Sequence, residues 1–213
     1  MVRNISEPSY LKRKLEENRT FKEASRHDDF LPVAQFSTVV HLDLLHHGKI
    51  PDPTIDLNRE ACQRVGETKW LYRTTFSHAK SRSRSHVDLV FEGLDTFAAV
   101  TLNGKEILQA DNVFVEYRVP IADALLDGNN VIEILFDSAF LRGRELEEQQ
   151  GHKDEFWHGD SSRLNVRKIA CRYGWDWASL QGIHRIEGCL TLDAGAATDD
   201  GWTIQAHLSR RIQ

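Results

Sequence analysis

The sequence predicts an all-β fold, an antiparallel β-sandwich carrying one or two short helices. Three observations predict it. Short runs alternate apolar and polar side chains with the two-residue period of a half-buried strand. Turn residues separate these runs at short intervals, as a sandwich of antiparallel strands requires. Asn103-Gly104 is the sequence of a two-residue hairpin turn, because both of its positions need positive φ.

Residues 1–19 are highly charged and include Pro8, so they read as an N-terminal extension, with Leu11 and Leu15 marking a short helical turn. A first compact segment spans 30–36. A helix follows, with Ser37 or Thr38 as its N-cap and Gly48 as its stop. Val40, Leu44 and Leu45 share one face of that helix, and His46 and His47 near its end suit the negative pole of the dipole. His41 is expected to be a hydrogen-bonded structural residue facing the start of the sheet. Ile50-Pro51-Asp52-Pro53 forces an extended turn, since each proline lacks a donor and restricts the residue before it.

Strands are expected at 69–76, 86–91, 97–102 and 105–108, with Gly93-Leu94-Asp95 as the link between the second and third. In the first, Trp70, Tyr72 and Thr74 alternate to one side and are expected to fill the core. Further strands are expected at 113–119 and 131–136, joined through Asp127-Gly128-Asn129-Asn130. A second helix fits 139–150, where Arg144 and Glu148 stand at i and i+4. A long polar loop holding Phe156 and Trp157 covers 151–163, and strands return at 166–172 and 185–192. One β-sandwich domain is expected over 20–192, and 193–213 reads as a linker or the start of a next domain.

Composition narrows the function classes. A chain of 213 residues suffices for one sizeable domain. Its net charge of −5 and scattered basic residues argue against nucleic acid as a partner. No apolar run reaches the roughly 20 residues of a membrane span. The polar stretch Met1 to Pro8 predicts no secretory signal, and the three cysteines, without a Cys-x-x-Cys pair, read as reduced thiols. A cytoplasmic location is therefore expected.

The element that carries chemistry is Tyr173-Gly174-Trp175-Asp176-Trp177, which places two of the five tryptophans within three positions. An indole face stacks on the apolar side of a sugar ring, and a neighbouring carboxylate accepts hydrogen bonds from sugar hydroxyls. Trp175, Asp176 and Trp177 are therefore the candidate sugar-contact residues. The same five residues also fit two core indoles with Asp176 holding a turn, so both readings stand at this point.

The order of motifs resembles the N-terminal region of glycoside hydrolase family 2 β-mannosidases, with intracellular fungal members most similar. The resemblance runs through Phe36-Ser37-Thr38-Val39-Val40-His41-Leu42-Asp43, Trp70-Leu71-Tyr72-Arg73-Thr74-Thr75-Phe76 and Phe91-Glu92-Gly93-Leu94-Asp95-Thr96-Phe97-Ala98. Asn103-Gly104, Asp111-Asn112-Val113-Phe114, 163–168 and Gly174-Trp175-Asp176-Trp177 complete it, over about residues 20 to 190. It implies a jelly-roll, galactose-binding-like sandwich that docks on a separate catalytic (β/α)8 barrel. It also implies that Trp175 shapes the terminal mannose subsite and Asp176 bonds sugar hydroxyls, so mannose or a β-mannoside glycan is the expected partner. Two departures sit beside that element. Ala178-Ser179-Leu180-Gln181 leads straight into Gly182-Ile183-His184-Arg185, a shortened loop, and His184 stands where the family has tryptophan.

In the family both catalytic glutamates lie in the barrel, several hundred residues on, so the resemblance implies that this chain alone is inactive as a hydrolase. Asp154, Glu155, Asp160 and Asp176 are the local carboxylates, and a second active site among them is not expected. No cofactor is expected. The ten histidines do not match zinc spacings and read as surface residues. The alternative readings are a stand-alone carbohydrate-binding module and a truncated, non-functional remnant.

Overall fold

A strand whose alternate side chains are apolar buries one face, and the strand over Trp70–His78 does so: Trp70, Tyr72, Thr74 and Phe76 are buried while the residues between them are not. A computed structural model describes residues 19–27, 29–34, 39–55, 57–80, 86–151, 160–169 and 172 in full, and the backbone of 11–14 and 185–195. In chain order the strands are β1 (Leu11–Lys14), β2 (Thr20–Glu23), β3 (Leu31–Pro32), β4 (Trp70–His78) and β5 (His86–Asp95). They continue as β6 (Ala98–Leu102), β7 (Lys105–Ala110), β8 (Tyr117–Pro120), β9 (Gly128–Phe136) and β10 (Arg185–Gly195). They form a four-stranded sheet ordered β1-β10-β5-β8 and a six-stranded sheet ordered β3-β2-β4-β9-β6-β7, with every strand pair antiparallel.

One cluster of buried side chains draws on both sheets. Tyr72, Val100, Ile132 and Phe136 come from the larger, and Leu89, Phe91 and Leu94 from the smaller. This is the expected sandwich, closed by shared apolar burial. The Asn103-Gly104 turn has φ of 52° and 81°, so both residues are left-handed and β6 pairs tightly with β7. The Asn103 carboxamide also accepts from Val131 N at 2.9 Å and donates to Ala124 O at 2.9 Å, tying the turn to the neighbouring loop.

The helices are α1 (Val40–His46), α2 (Asn58–Gly66) and α3 (Ala139–Gln150), joined among the described residues by a 3-10 helix at Ser161–Asn165. The α3 span is the one expected, capped by the Ser138 hydroxyl at one end and by Gly151 in the left-handed conformation at the other. The α2 helix is an addition, because its signal is thin: only Cys62, Val65 and Gly66 are buried in a run of polar side chains. Its C-terminal carbonyls are satisfied from outside, by Trp70 Nε1 to Val65 O at 2.9 Å and Ser138 Oγ to Gly66 O at 2.7 Å.

Several local expectations are corrected. Leu11–Lys14 is a strand paired with β10, so a tertiary partner overrides the weak helical spacing there. The residue preceding α1 is Val39, extended and without a side-chain cap; Ser37 and Thr38 lie outside the described residues. The strand expected over 113–119 is confined to β8, since Asn112 Oδ1 accepts from Phe114 N at 2.9 Å and turns the chain first. Gly93-Leu94-Asp95 is not a link but the end of β5. Residues 166–169 form no strand, only one bridge between Arg167 and Asn112. Arg144 pairs with Asp160 at 2.9 Å rather than with Glu148. The chain at 196–213, including Trp202, lies outside the described residues.

The backbone of α3 at Gly143 lies tight against the 3-10 helix. A Cβ on Gly143 would sit 2.5 Å from the backbone oxygen of Ser162 and 3.0 Å from a Val166 methyl. Backbone atoms cannot swing aside, so Gly143→Ala is expected to lower unfolding free energy by about 1–3 kcal/mol in urea titration. An unchanged midpoint would mean that the two helices separate freely.

Candidate functional site

Trp175, Asp176 and Trp177 lie outside the described residues. Of the described side chains that precede them in the sequence, Lys168 and Arg172 belong to an ionic group at the end of β5. A charged side chain removed from water needs an opposite charge at hydrogen-bond distance. Lys168 Nζ donates to Asp95 Oδ1 at 2.7 Å, and both side chains have no exposure at all. Arg172 Nη1 donates to the other oxygen, Asp95 Oδ2, at 2.9 Å, with its side chain 16% exposed. The Thr96 hydroxyl adds a third donor to the carboxylate, the second on Oδ1. One carboxylate therefore serves two cations, one on each oxygen.

His41 of α1 stands close enough to feel this group. Its ring is buried and neither ring nitrogen has a hydrogen-bond partner among the described residues, which corrects the expectation of a hydrogen-bonded imidazole. Burial first, and the Lys168 ammonium second, push its pKa down to about 4. Next to it on the helix, Asp43 is also buried and accepts from Ala34 N at 2.7 Å and Tyr72 OH at 3.2 Å. That explains why a carboxylate is tolerated under Tyr72: it organises backbone and phenol rather than facing a ligand.

The remaining sequence candidates are engaged elsewhere or fall outside the described residues. Asp160 caps the 3-10 helix through Ser162 N at 3.0 Å. Desolvation pushes its pKa up, but the Ser162 and Arg144 hydrogen bonds outweigh this and leave it lowered. Asp154, Glu155, Trp157, His152 and His158 lie outside the described residues. His47 Nε2 sits 2.8 Å from Pro32 O, and the described residues contain no cluster of His, Cys, Asp or Glu able to hold a metal. Cys62 is a buried free thiol. A groove of about 930 Å³ lies between α3 and the sheet, floored by Ala99 and Leu135 and rimmed by Arg167 and Asn165. Its rim charges pair with each other, Arg167 with Asp111 at 2.6 Å and Lys69 with Asp137 at 3.0 Å.

Asp95, Lys168, Arg172 and His41 were not singled out as functional by sequence reasoning, although all four fall within or beside the motifs that carried the resemblance. A lysine followed four residues later by an arginine, just before the aromatic element, was the available signal. Its partner lies 73 residues away, and no local pattern joins the two.

A family model described as glycosyl hydrolase 2 galactose-binding domain-like matches residues 19–188. The chain is 49% identical over 165 residues to a β-mannosidase B of Thermothelomyces thermophilus, covering 76% of this chain and 19% of that protein. It is 41% identical over 202 residues to a β-mannosidase B of Emericella nidulans, covering 92% and 24%. A crystal structure of a β-D-mannosidase from Dictyoglomus thermophilum superposes with a TM-score of 0.74 at 32% identity, over 85% of this chain and 22% of that one. An exo-chitosanase of Amycolatopsis orientalis shares the fold at a TM-score of 0.63 and 16% identity. The chain thus spans about a fifth to a quarter of the length of the curated relatives it matches.

The His41 environment has a measurable consequence. The unfolded imidazole takes up its proton near pH 6.5 and the folded one only near 4, so the unfolded state binds more protons between those values. Stability therefore falls as the pH drops through that window, by about 3 kcal/mol in all from this group. Chemical denaturation of His41→Leu between pH 7 and 4 is expected to show a shallower decline than the unsubstituted chain. Parallel declines would show that His41 titrates normally.

Proposed function

This chain belongs to the glycosyl hydrolase 2 galactose-binding-like domain family, and we propose that it builds part of the terminal mannose subsite of a β-mannosidase. In this reading Trp175 lies against the sugar ring, Asp176 accepts bonds from its hydroxyls, and Trp177 backs the element. The observation that carries the proposal is the identity to a β-mannosidase B over a region that includes this element. Hydrolysis of β-mannosides then requires a longer protein, because two flanking carboxyl groups must be supplied by a catalytic barrel on which this domain docks. The apolar side chains exposed beside the lead-in support docking there. Phe114 is 66% and Leu164 48% exposed, and Val113 N bonds Arg167 O at 3.1 Å, which brings the two segments together.

An autonomous sugar-binding module is the second reading, and one titration addresses both. Indole N–H signals of the chain are followed by NMR as methyl β-mannoside is added, first unsubstituted and then as Asp176→Ala. One sugar ring offers few buried contacts, so a chain that binds sugar by itself moves the Trp175 and Trp177 signals with a dissociation constant of roughly 1–10 mM, whereas still signals in a folded chain mean that the subsite needs its barrel. Asp176→Ala is expected to remove that movement. Equal movement in the variant would contradict the assigned role of Asp176.

A further inference from the structure

Asn103-Gly104 is the one Asn-Gly pair in the sequence, and such a pair is chemically labile in an open chain. The Gly104 nitrogen, with no side chain beside it, attacks the Asn103 Cγ; ammonia leaves and a succinimide ring closes. Water then opens either C–N bond of the ring. One opening leaves aspartate at 103, the other isoaspartate, with the side-chain methylene now in the backbone. In the folded chain the carboxamide is held by other partners. Its Oδ1 accepts from Val131 N, and its Nδ2 donates to Ala124 O and to Asn130 Oδ1, each at 2.9 Å. All three partners lie in the single segment 124–131. We propose that Asn103 is a latent modification site, silent while its carboxamide is bonded to 124–131. When that segment opens, Asn103 converts to aspartate or isoaspartate, and the conversion keeps the segment from closing again.

Three features carry this. First, close packing does not shield the reacting peptide: Gly104 is exposed, and a Cβ on it would meet nothing within 4 Å. The protection therefore rests on the bonds of the carboxamide, which must leave them to turn onto the Gly104 nitrogen. Second, those bonds lead to a well-fastened group. Asn130 has no exposure, and besides accepting from Asn103 it bonds Leu126 N at 2.8 Å and Leu126 O and Gly128 O at 3.0 Å. The backbone joins in, with Asn103 N donating to Val131 O at 2.8 Å. Third, the atom lost as ammonia is Nδ2, the donor to both Ala124 O and Asn130 Oδ1. A carboxylate oxygen in its place sets acceptor against acceptor and leaves Asn130 short of a partner. Isoaspartate also lengthens the backbone by one atom where β6 and β7 pair at Leu102 and Lys105, which disturbs the register.

The test follows residue 103 of the 213-residue chain at neutral pH by peptide mapping and mass spectrometry, once in the folded state and once unfolded in urea. A urea transition recorded beforehand defines the two conditions. Loss of the amide is expected to be about tenfold or more slower in the folded chain, because only the open fraction reacts. Asn130→Ala, which removes one acceptor and loosens 124–131 while leaving Asn103 and Gly104 untouched, is expected to raise the folded rate toward the unfolded one. Asn103→Asp, which places the product carboxylate in the turn, is expected to lower the urea midpoint. Equal loss in folded and unfolded chains would overturn the proposal. So would a folded Asn130→Ala chain reacting at the unsubstituted rate, or an Asn103→Asp chain as stable as the unsubstituted one. If Asn130→Ala does not fold, urea below the transition takes its place. Loss of the amide must then rise in step with hydrogen exchange of the Val131 N–H, which is bonded to Asn103 Oδ1, and a loss that ignores that exchange overturns the proposal.

Discussion

A carboxylate and an ammonium entirely removed from water, 2.7 Å apart, set the constraint around which the end of β5 and residues 166–172 are arranged. Breaking such a buried pair by deleting one partner costs on the order of 3–5 kcal/mol. The exposed pairs weigh little beside it: Arg167–Asp111, with side chains 64% and 58% exposed, contributes about 0–1 kcal/mol. The chain thus has a strong reason to keep Lys168 beside the end of β5 and only a weak one to keep the surface charges in place. Because Arg172 shares the same carboxylate, the segment entering the aromatic element is tied at two points four residues apart.

The rest of the sandwich makes that pair possible. Leu94 beside it is fully buried, and the two sheets share one apolar core, so water is excluded from the site where Asp95 meets its cations. His41, which feels the Lys168 charge, is buried in the same dry environment. Its neutral imidazole adds no third cation near Lys168 at ordinary pH, and protonating it there works against both burial and charge. The contact between Gly143 of α3 and Ser162 of the 3-10 helix sets the path by which residues 166–168 reach the pair. Packing, exclusion of water and ion pairing act here in sequence along one stretch of chain.

What was legible in the amino-acid sequence was whatever depends on near neighbours. Alternation placed Trp70 and Tyr72 in the core, the Asn103-Gly104 turn needed only its own two residues, and the α3 span of 139–150 was read from its own residues. What was not legible depends on distant partners. Leu11–Lys14 becomes a strand because β10 lies beside it, and α2 holds because Trp70 and Ser138 satisfy its last carbonyls. Asp95 read as a turn residue, since nothing within a few positions reveals a lysine 73 residues on. The aromatic element was conspicuous by composition alone, yet the ion group that precedes it was not, because ion pairs between distant segments leave no local period.

The most direct test of this account is a crystal structure of the chain with a bound β-mannoside. The account predicts the sugar ring against Trp175, its hydroxyls on Asp176, and the Asp95 carboxylate still holding Lys168 and Arg172. A sugar seated elsewhere, such as the groove between α3 and the sheet, or Asp95 parted from both cations, would contradict it.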